Sequence, residues 1–260
     1  MAELSITFLG TGTSQGVPFV ACDCAVCRST DFRDKRLRSS ILVEAEDVTF
    51  LVDTTPDLRA QALRHDLRRI DAAIFTHSHT DHVAGFDDLR RFCELADRPI
   101  PIYASPHTMA DLRRVFYYAF DGQHSFRNYV RPEPHEVTAP FKIGSVEIIP
   151  AEVPHGKMLV YGYIFARAGR KLAAYFSDCH HVPPEVIAQI LGIPVLIIDA
   201  LRHEPHPSHL SLNEALDIAT AVSAQRAYFT HIGHDLGHEE TEKLLPPHVR
   251  LAHDGLRIEI

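Results

Sequence analysis

Four potential metal ligands lie close together in the segment His77-Ser78-His79-Thr80-Asp81-His82. Imidazole nitrogens and carboxylate oxygens suit Zn²⁺, with Mn²⁺ and Fe²⁺ as alternatives. The four side chains cannot all point one way from a regular strand or helix, but they can from a loop that turns from a strand end into a helix. We therefore predict that His77 and His79 share one metal ion, and that Asp81 and His82 point to a second.

A second group of potential ligands is formed by Cys22, Cys24 and Cys27, which are spaced C-x-C-x-x-C. Cysteines this close seldom form good disulfides with one another, and such a cluster is more typical of a metal site. Three thiolates supply three corners of a tetrahedral zinc site, and a fourth ligand must come from elsewhere. The spacing predicts a structural zinc-binding loop over residues 22–27. Three reduced thiols without a metal are the alternative.

Short apolar segments are predicted to position these groups. Strands are predicted at 4–9, 39–46, 48–53, 72–76, 102–104, 141–150, 161–166, 171–177, 195–199 and 227–230, with a C-terminal hairpin over 249–260 around Asp254-Gly255. Helices are predicted at 55–65, 86–95, 106–118, 184–191 and 212–222. Prolines and an Asp-Gly pair predict an irregular excursion at about 105–140.

Several of the predicted strands end in a polar residue that can bind a metal: Asp53, His77, Asp178, Asp199 and His231. Binding groups on loops at strand ends are typical of an enzyme built on a rigid sheet scaffold. The strands fall into two groups, each followed by helices, which indicates two packed sheets with helices outside them. We therefore predict an α/β (α+β) fold, a four-layer αββα sandwich, forming a single domain over residues 1–260.

The composition narrows the functions that these groups could serve. The chain has 260 residues, 18 histidines and a formal net charge of −8. This acidic balance argues against a nucleic-acid partner, which normally meets a basic face, but it is compatible with a small phosphorylated substrate. Neither a membrane-spanning run nor a secretory signal is evident, so we expect a cytoplasmic protein without a membrane partner. A homodimer is left open.

The His77–His82 motif resembles the signature of the metallo-β-lactamase superfamily, and the resemblance covers essentially the whole chain. It implies three further ligands, which this sequence supplies as His155, Asp178 and His231. The implied first metal is held by His77, His79 and His155, the second by Asp81, His82 and His231, and Asp178 bridges both. Two divalent ions at such a distance can share a water molecule and lower its pKa toward neutrality, which implies a hydroxide nucleophile.

The cysteine loop narrows the resemblance further. Residues 10–18 followed by the C-x-C-x-x-C cluster are similar to PhnP-like phosphodiesterases of phosphonate metabolism, which hydrolyse a cyclic phosphate on phosphoribose. That similarity implies His234 as the fourth ligand of the structural zinc. It also implies two Zn²⁺ or Mn²⁺ ions in the active site and one structural Zn²⁺ as cofactors.

The segment 205–215 resembles the region that carries the catalytic histidine of related phosphodiesterases and of tRNA 3′-processing nucleases. His209 is the matching residue, and a histidine of near-neutral pKa suits the role of proton donor. The candidate catalytic residues are thus His209 and Asp81, the latter also a metal ligand. Glu214 or a nearby carboxylate is expected to orient His209. Lys157 and Arg202 are candidate phosphate contacts.

Four functions can be considered for this sequence. A phosphodiesterase for a small cyclic phosphate, such as phosphoribosyl 1,2-cyclic phosphate, accounts for both the cysteine loop and His209. A tRNA 3′-end nuclease fits the ligands equally well, but the acidic balance and the lack of an evident arm for grasping tRNA count against it. A thioester or lactam hydrolase leaves His209 without a role. A non-enzymatic accessory protein is disfavoured by the intact ligand set.

Overall fold

Two seven-stranded sheets make up the centre of the computed structural model, which describes residues 2–122, 126 and 128–260. In chain order the described strands are β1 (Ser5–Gly10), β2 (Ser40–Glu44), β3 (Thr49–Val52), β4 (Ala72–Ile74), β5 (Ile100–Ala104), β6 (Pro132–Glu136), β7 (Phe141–Ile143), β8 (Val146–His155), β9 (Met158–Arg167), β10 (Arg170–Phe176), β11 (Val195–Asp199), β12 (Arg226–Thr230), β13 (Val249–Leu251) and β14 (Arg257–Glu259). One sheet has the order β14-β1-β2-β3-β4-β5-β6, and the other has the order β13-β12-β11-β10-β9-β8-β7.

Helices connect many of these strands. The described α-helices are α1 (Ala25–Arg28), α2 (Leu58–Arg64), α3 (Thr80–Val83), α4 (Arg90–Ala96), α5 (Pro106–Val115), α6 (Tyr117–Phe120), α7 (Pro184–Gln189), α8 (Leu212–Val222) and α9 (His238–Glu242), with 3₁₀ turns at Phe32–Asp34 and Phe86–Leu89. Within the described ranges, none of the helices combines the length and the apolar character that crossing a membrane would need.

Three apolar layers hold the sheets and helices together. Strand β11 illustrates how, because it is buried along its whole length. Val195 and Ile197 belong to the apolar layer between the two sheets. Leu196 and Ile198 belong to the layer under α7 and α8, since neighbouring residues of a strand face opposite sides of the sheet. A third layer joins the other sheet to α2, α4 and α5. The predicted αββα sandwich is confirmed, whereas the single domain over residues 1–260 stays a prediction.

Parallel strands at the centre of each sheet bring the polar strand ends together. Strands β3, β4 and β5 run parallel in one sheet, and β10, β11 and β12 run parallel in the other. Asp53 and His231 directly follow β3 and β12, and Asp199 is the last residue of β11. Asp178 and His77 come two and three residues after the ends of β10 and β4. Ligand-binding residues of such sheets lie at the carboxyl ends of the strands, so one edge of the sandwich carries the site.

The excursion at 105–140 is more regular than the sequence predicts. It contains α5, α6 and the edge strand β6, which pairs in parallel with β5. The sequence did not predict this strand because it contains Pro132 and Pro134. An edge strand tolerates proline, since one side of it needs no ladder hydrogen bonds. The predicted strand at 141–150 is two strands, because Gly144 turns the chain at a φ of +56°. Residues 123–125 and 127 of this excursion lie outside the described part.

The C-terminal hairpin is a wrong prediction. Strand β13 pairs with β12 in one sheet, and β14 pairs with β1 in the other, so the chain crosses between the sheets. The Asp254 carboxylate makes this crossing specific. It accepts hydrogen bonds from the backbone N–H and hydroxyl of Thr11, at 3.0 and 2.8 Å, and from the N–H of Leu37, at 2.8 Å.

Replacing Asp254 with Ala is expected to lower the free energy of unfolding by about 2–3 kcal/mol, because the buried N–H of Thr11 and the partly buried N–H of Leu37 lose their acceptor. The shift would be measured as a lower midpoint in urea unfolding. Asp217→Ala, at an exposed position of α8, is the matched control and should change stability by no more than about 0.5 kcal/mol. Equal stability of the two variants would contradict the bridging role of Asp254.

Candidate metal centre

The His77–His82 motif spans the end of the loop after β4 and the first residues of α3. Burial is deep at the start of this loop, since His77 is 1% exposed, and α3 begins directly after His79. Nε2 of His77 lies 3.0 Å from Nδ1 of His79. A ring nitrogen of His155, at the end of β8, joins these two, and all three ligand atoms lie within 4.8 Å of one another. The structure thus brings together the three histidines assigned to the first metal.

The residues assigned to the second metal form an adjoining group. Asp81, His82 and His231 also place their ligand atoms within 4.8 Å of one another. Asp178 lies between the two groups. Its Oδ2 is 3.2 Å from Nε2 of His82, its Oδ1 is 3.2 Å from Nε2 of His231, and it also groups with His77. This is the position that a bridging carboxylate requires.

Unsatisfied buried atoms show that the residues fit divalent cations. Within the described part of the chain, Nε2 of His82, Nε2 of His231 and Oδ2 of Asp178 are buried without a hydrogen-bond partner. Buried polar atoms are rarely left in this way, and lone pairs that converge on one point call for a positive charge. Neutral imidazoles and carboxylates are also the ligands that Zn²⁺ and Mn²⁺ accept.

The pKa shifts of the candidate metal ligands also favour a bound cation. Burial lowers the pKa of His155 to about 4, which keeps its ring neutral and able to bind a metal. Burial would raise the pKa of Asp178, but His231 and His82 outweigh it and hold that pKa well below its usual value. Burial would likewise lower the pKa of His82, yet the carboxylates of Asp178 and Asp81 raise it well above normal. The carboxylates of Asp178 and Asp81 therefore favour a positive charge beside them, which a bound cation would supply.

Outer hydrogen bonds orient the ligand rings. Nδ1 of His82 lies 2.7 Å from Oδ2 of Asp53, which also accepts the Thr76 hydroxyl at 2.8 Å. Nδ1 of His155 lies 2.8 Å from the carbonyl oxygen of Ser208. Such partners select the ring nitrogen that is free to bind the metal. Asp53 ends a strand and so carried a sequence signal, but the sequence did not separate this outer role from that of a ligand.

His209 faces the same centre and is held by Asp199. Its Nδ1 lies 2.7 Å from Oδ2 of Asp199, and its ring stacks on that of His231 at 4.6 Å. A ring nitrogen of His209 also groups with His155 and Asp178. Burial raises the pKa of Asp199 and lowers that of His209, so a proton on His209 is readily given up.

Glu214 is not the residue that orients His209. Its carboxylate accepts the N–H and the hydroxyl of Ser211, at 2.8 and 2.6 Å, in a capping box at the start of α8. The carboxylate in contact with His209 is that of Asp199, fully buried at the end of β11. Asp199 and His209 are ten residues apart, and both lie on the connection that leads from β11 to α8.

The cysteine loop and His234 form a separate four-ligand group. Nδ1 of His234 lies 3.3, 3.6 and 3.5 Å from the Sγ atoms of Cys22, Cys24 and Cys27. Ligands about 2.3 and 2.0 Å from a tetrahedral zinc are about 3.5 Å apart, so the spacing fits. The ring of His234 stacks on that of Phe19 at 3.9 Å. Backbone N–H groups also donate to the sulfurs of Cys24 and Cys27, at 3.4 and 3.3 Å.

A buried arginine holds the segment that joins the two metal sites. His231 and His234 are separated by two residues, and Arg36 donates to the carbonyl oxygens of Gly233 and Leu236 at 2.8 and 2.7 Å. The same guanidinium pairs with Asp34 at 2.9 Å, and its side chain is fully buried. The position of His231 therefore does not depend on the cysteine site alone.

Cys24→Ser is expected to reduce the metal content from three ions to two per chain, because one thiolate of the cysteine site is lost while Arg36 still holds the segment of His231. Metal analysis of the dialysed protein would measure this. Cys93→Ser, at a buried cysteine within α4, is the matched control and should keep all three ions. A wild-type protein with only two ions would contradict the structural zinc.

The two candidate phosphate contacts differ in their surroundings. Lys157 lies at the tip between β8 and β9, is exposed, and has no partner among the described residues. The guanidinium of Arg202 donates to the carbonyl oxygens of Glu204 and Pro205, at 3.1 and 2.8 Å. Arg202 thereby holds the loop that carries His209, and its contact with phosphate stays a prediction.

Comparison with known proteins agrees with this geometry. A family model described as a beta-lactamase superfamily domain matches residues 48–232. The chain belongs to the β-lactamase superfamily. That range contains all seven ligands assigned to the two metals, from His77 to His231. The predicted superfamily, and with it a metal-dependent hydrolase, is confirmed.

Individual members of the superfamily extend the comparison. The crystal structure of a diphosphatase from the PhnP family is 42% identical, with a TM-score of 0.91 over 99% of this chain and 97% of that one, which confirms the PhnP-like resemblance. Zn²⁺-bound PqqB from Methylobacterium extorquens shares the fold, at 20% identity and a TM-score of 0.82 over 98% of this chain and 100% of that one. An octanoyltransferase from Porphyromonas gingivalis is 32% identical over 95% of this chain, which spans 50% of that protein.

Proposed function

We propose that the chain is a two-metal phosphodiesterase that hydrolyses a small cyclic phosphodiester such as phosphoribosyl 1,2-cyclic phosphate. The observation that carries this is the Asp199–His209 pair, 2.7 Å apart, next to Asp178. Opening a phosphodiester expels an alkoxide, and an alkoxide is a poor leaving group unless it receives a proton. A histidine oriented by a carboxylate at this place supplies that proton.

Each residue of the site has a defined task in this reaction. Two divalent ions, when bound, lower the pKa of a water and neutralise charge on phosphoryl oxygens. Asp178 holds the two ligand groups at a fixed separation, and Asp53 fixes the ring of His82. Water attacks phosphorus and gives up one proton to the solvent, the bond from phosphorus to the leaving oxygen breaks, and His209 gives its proton to that oxygen. His209 then takes up a proton from the solvent before the next turnover. The hydrogen bond with Asp199 fixes the orientation of the His209 ring, so that its other nitrogen faces the leaving oxygen.

The similarity to a PhnP-family diphosphatase, at 42% identity, supports phosphorus as the atom attacked. The net charge of −8 supports a small substrate over a tRNA. One comparison favours a second candidate, the hydrolysis of an acyl thioester, because an octanoyltransferase is 32% identical along half of its length. The match covers 50% of that protein and does not assign the acyl activity to the shared half, so the acyl activity is the weaker proposal.

A panel of four substrates separates these functions. The Mn²⁺-loaded and Zn²⁺-loaded protein would be tested on a cyclic phosphoribose, a bis-aryl phosphodiester, an octanoyl thioester and a pre-tRNA. We expect turnover of both phosphodiesters and none of the thioester. Hydrolysis of the thioester without either diester would overturn the proposal, and cleavage of pre-tRNA alone would assign the chain to the nucleases.

A further inference from the structure

One histidine of the first metal group lacks an outer hydrogen bond. His79 is exposed, and within the described part of the chain its side chain has no hydrogen-bond partner except its fellow ligand His77. The ring of His77 is held from outside by the Thr76 hydroxyl, 3.0 Å from its Nδ1. The ring of His155 is held by the carbonyl oxygen of Ser208, 2.8 Å from its Nδ1. The position of the His79 ring therefore depends on the backbone that carries it.

The residue between His77 and His79 ties this backbone to helix α5. The hydroxyl of Ser78 donates to Oδ2 of Asp111 at 2.6 Å. Asp111 lies on α5, and its side chain is only 18% exposed, so water competes little for this oxygen. Hydrogen bonds to an ionised acceptor are also about twice as strong as neutral ones. Asp111 therefore anchors the segment that joins the two histidines.

Helix α5 is a fixed support for this contact. The side chain of Ser105 caps its start by accepting from the N–H of Thr108 at 3.1 Å. Its residues Met109 and Leu112 are buried in the apolar layer that joins α2, α4 and α5 to their sheet. Strand β5 leads into α5 and β4 leads into the histidine motif, and these two strands are parallel neighbours. The position of α5 is therefore set by anchors that do not involve Asp111.

We propose that Asp111 is a positioning residue for the first metal ion, because through Ser78 it fixes the backbone of His79 and hence the place where the His79 ring meets the ion. The inference rests on the metal centre of the proposed function. Asp111 acts through Ser78 and needs no contact with the substrate. Removing a residue that orients a metal ligand lowers metal affinity by about 10- to 100-fold.

Two further contacts of Asp111 lie within α5 itself. Arg114 donates to Oδ1 at 2.7 Å, and Nε2 of His107 lies 3.7 Å from Oδ2. Both of these side chains are exposed. A variant at Arg114 therefore removes a contact that acts on the helix alone, while the link from Asp111 to Ser78 stays in place.

Four variants test the link. Protein with the cysteine site filled would be titrated with Mn²⁺ by calorimetry, and hydrolysis of a bis-aryl phosphodiester would be followed at limiting and at saturating Mn²⁺. In Asp111→Leu and in Ser78→Ala, the dissociation constant of one Mn²⁺ ion should rise about 10- to 100-fold while that of the other stays, and hydrolysis should recover at saturating Mn²⁺. Asp111→Asn should bind close to the wild type, since its amide oxygen still accepts from Ser78. Arg114→Ala is the control and should bind both ions as the wild type does.

Unchanged Mn²⁺ affinity in Ser78→Ala would overturn the proposal, and this variant decides the matter if Asp111→Leu does not fold, because it leaves α5 untouched. An equal loss in Arg114→Ala would assign Asp111 to the stability of α5, and an equal loss of both ions would contradict a specific link to His79. If the wild type binds two ions but hydrolyses no diester, the proposed function fails, and the dissociation constants still decide the role of Asp111. A wild type that binds no Mn²⁺ at these histidines would refute both.

Discussion

Asp178→Asn is expected to abolish phosphodiester hydrolysis and to reduce the content of active-site metal. The carboxylate contacts His82 through one oxygen and His231 through the other, at 3.2 Å each, and it also groups with His77. Asparagine has the same size but only one oxygen and no charge. The two ligand groups therefore lose the carboxylate that they share. The loss should approach the whole rate acceleration, which in enzymes is about 10⁶-fold or more.

The matched control is Asp217→Asn, at an exposed carboxylate on α8 that contacts none of the ligands. Metal analysis, circular dichroism and turnover of a bis-aryl phosphodiester would be measured on both variants. The metal at the cysteine site should stay in each of them, which shows that the fold is intact. Full activity of Asp178→Asn with two active-site ions would show that the residue does not bridge.

His209→Ala is expected to lose about 10²- to 10⁴-fold in turnover of a cyclic alkyl phosphodiester while keeping its metal content. The reason is that the alkoxide then leaves without a proton. A bis-aryl phosphodiester expels a much weaker base, so its hydrolysis should fall far less in the same variant. This difference between leaving groups marks a proton donor, and equal losses on the two substrates would point to a structural or metal-binding role for His209.

Asp199→Asn is expected to show the same leaving-group dependence with a smaller loss. Its amide can still contact Nδ1 of His209, which lies 2.7 Å from the present carboxylate, but it cannot stabilise the charged ring. The variant therefore tests orientation and charge separately from the presence of His209. An Asp199→Asn enzyme with wild-type turnover of the alkyl diester would exclude the carboxylate from the reaction.

The candidate metal ligands could be picked out from the sequence because several of them follow short apolar strands, where the local pattern and the chemistry of the residue coincide. His77, Asp178 and His231 are of this kind, and parallel strands must bring such ends to one edge of a sheet. The resemblance to a known family supplied His155, which ends an antiparallel strand and has no such signal of its own.

The outer contacts could not be predicted, because they depend on how separate segments pack. Asp199 and Glu214 are both acids near His209 in the sequence, and only the folded chain shows that Glu214 caps α8 while Asp199 contacts the ring. The same is true of β13 and β14. The sequence predicts a hairpin there, whereas the two strands belong to different sheets and Asp254 holds the crossing between them.

The most direct test of a two-metal phosphodiesterase is a metal titration. Protein in which only the cysteine site is filled would be titrated with Mn²⁺ while hydrolysis of a cyclic phosphodiester is followed. We expect activity to be absent at the start, to rise with added metal, and to reach its plateau at two ions per chain. A plateau at one ion, or full hydrolysis before any Mn²⁺ is added, would contradict the account.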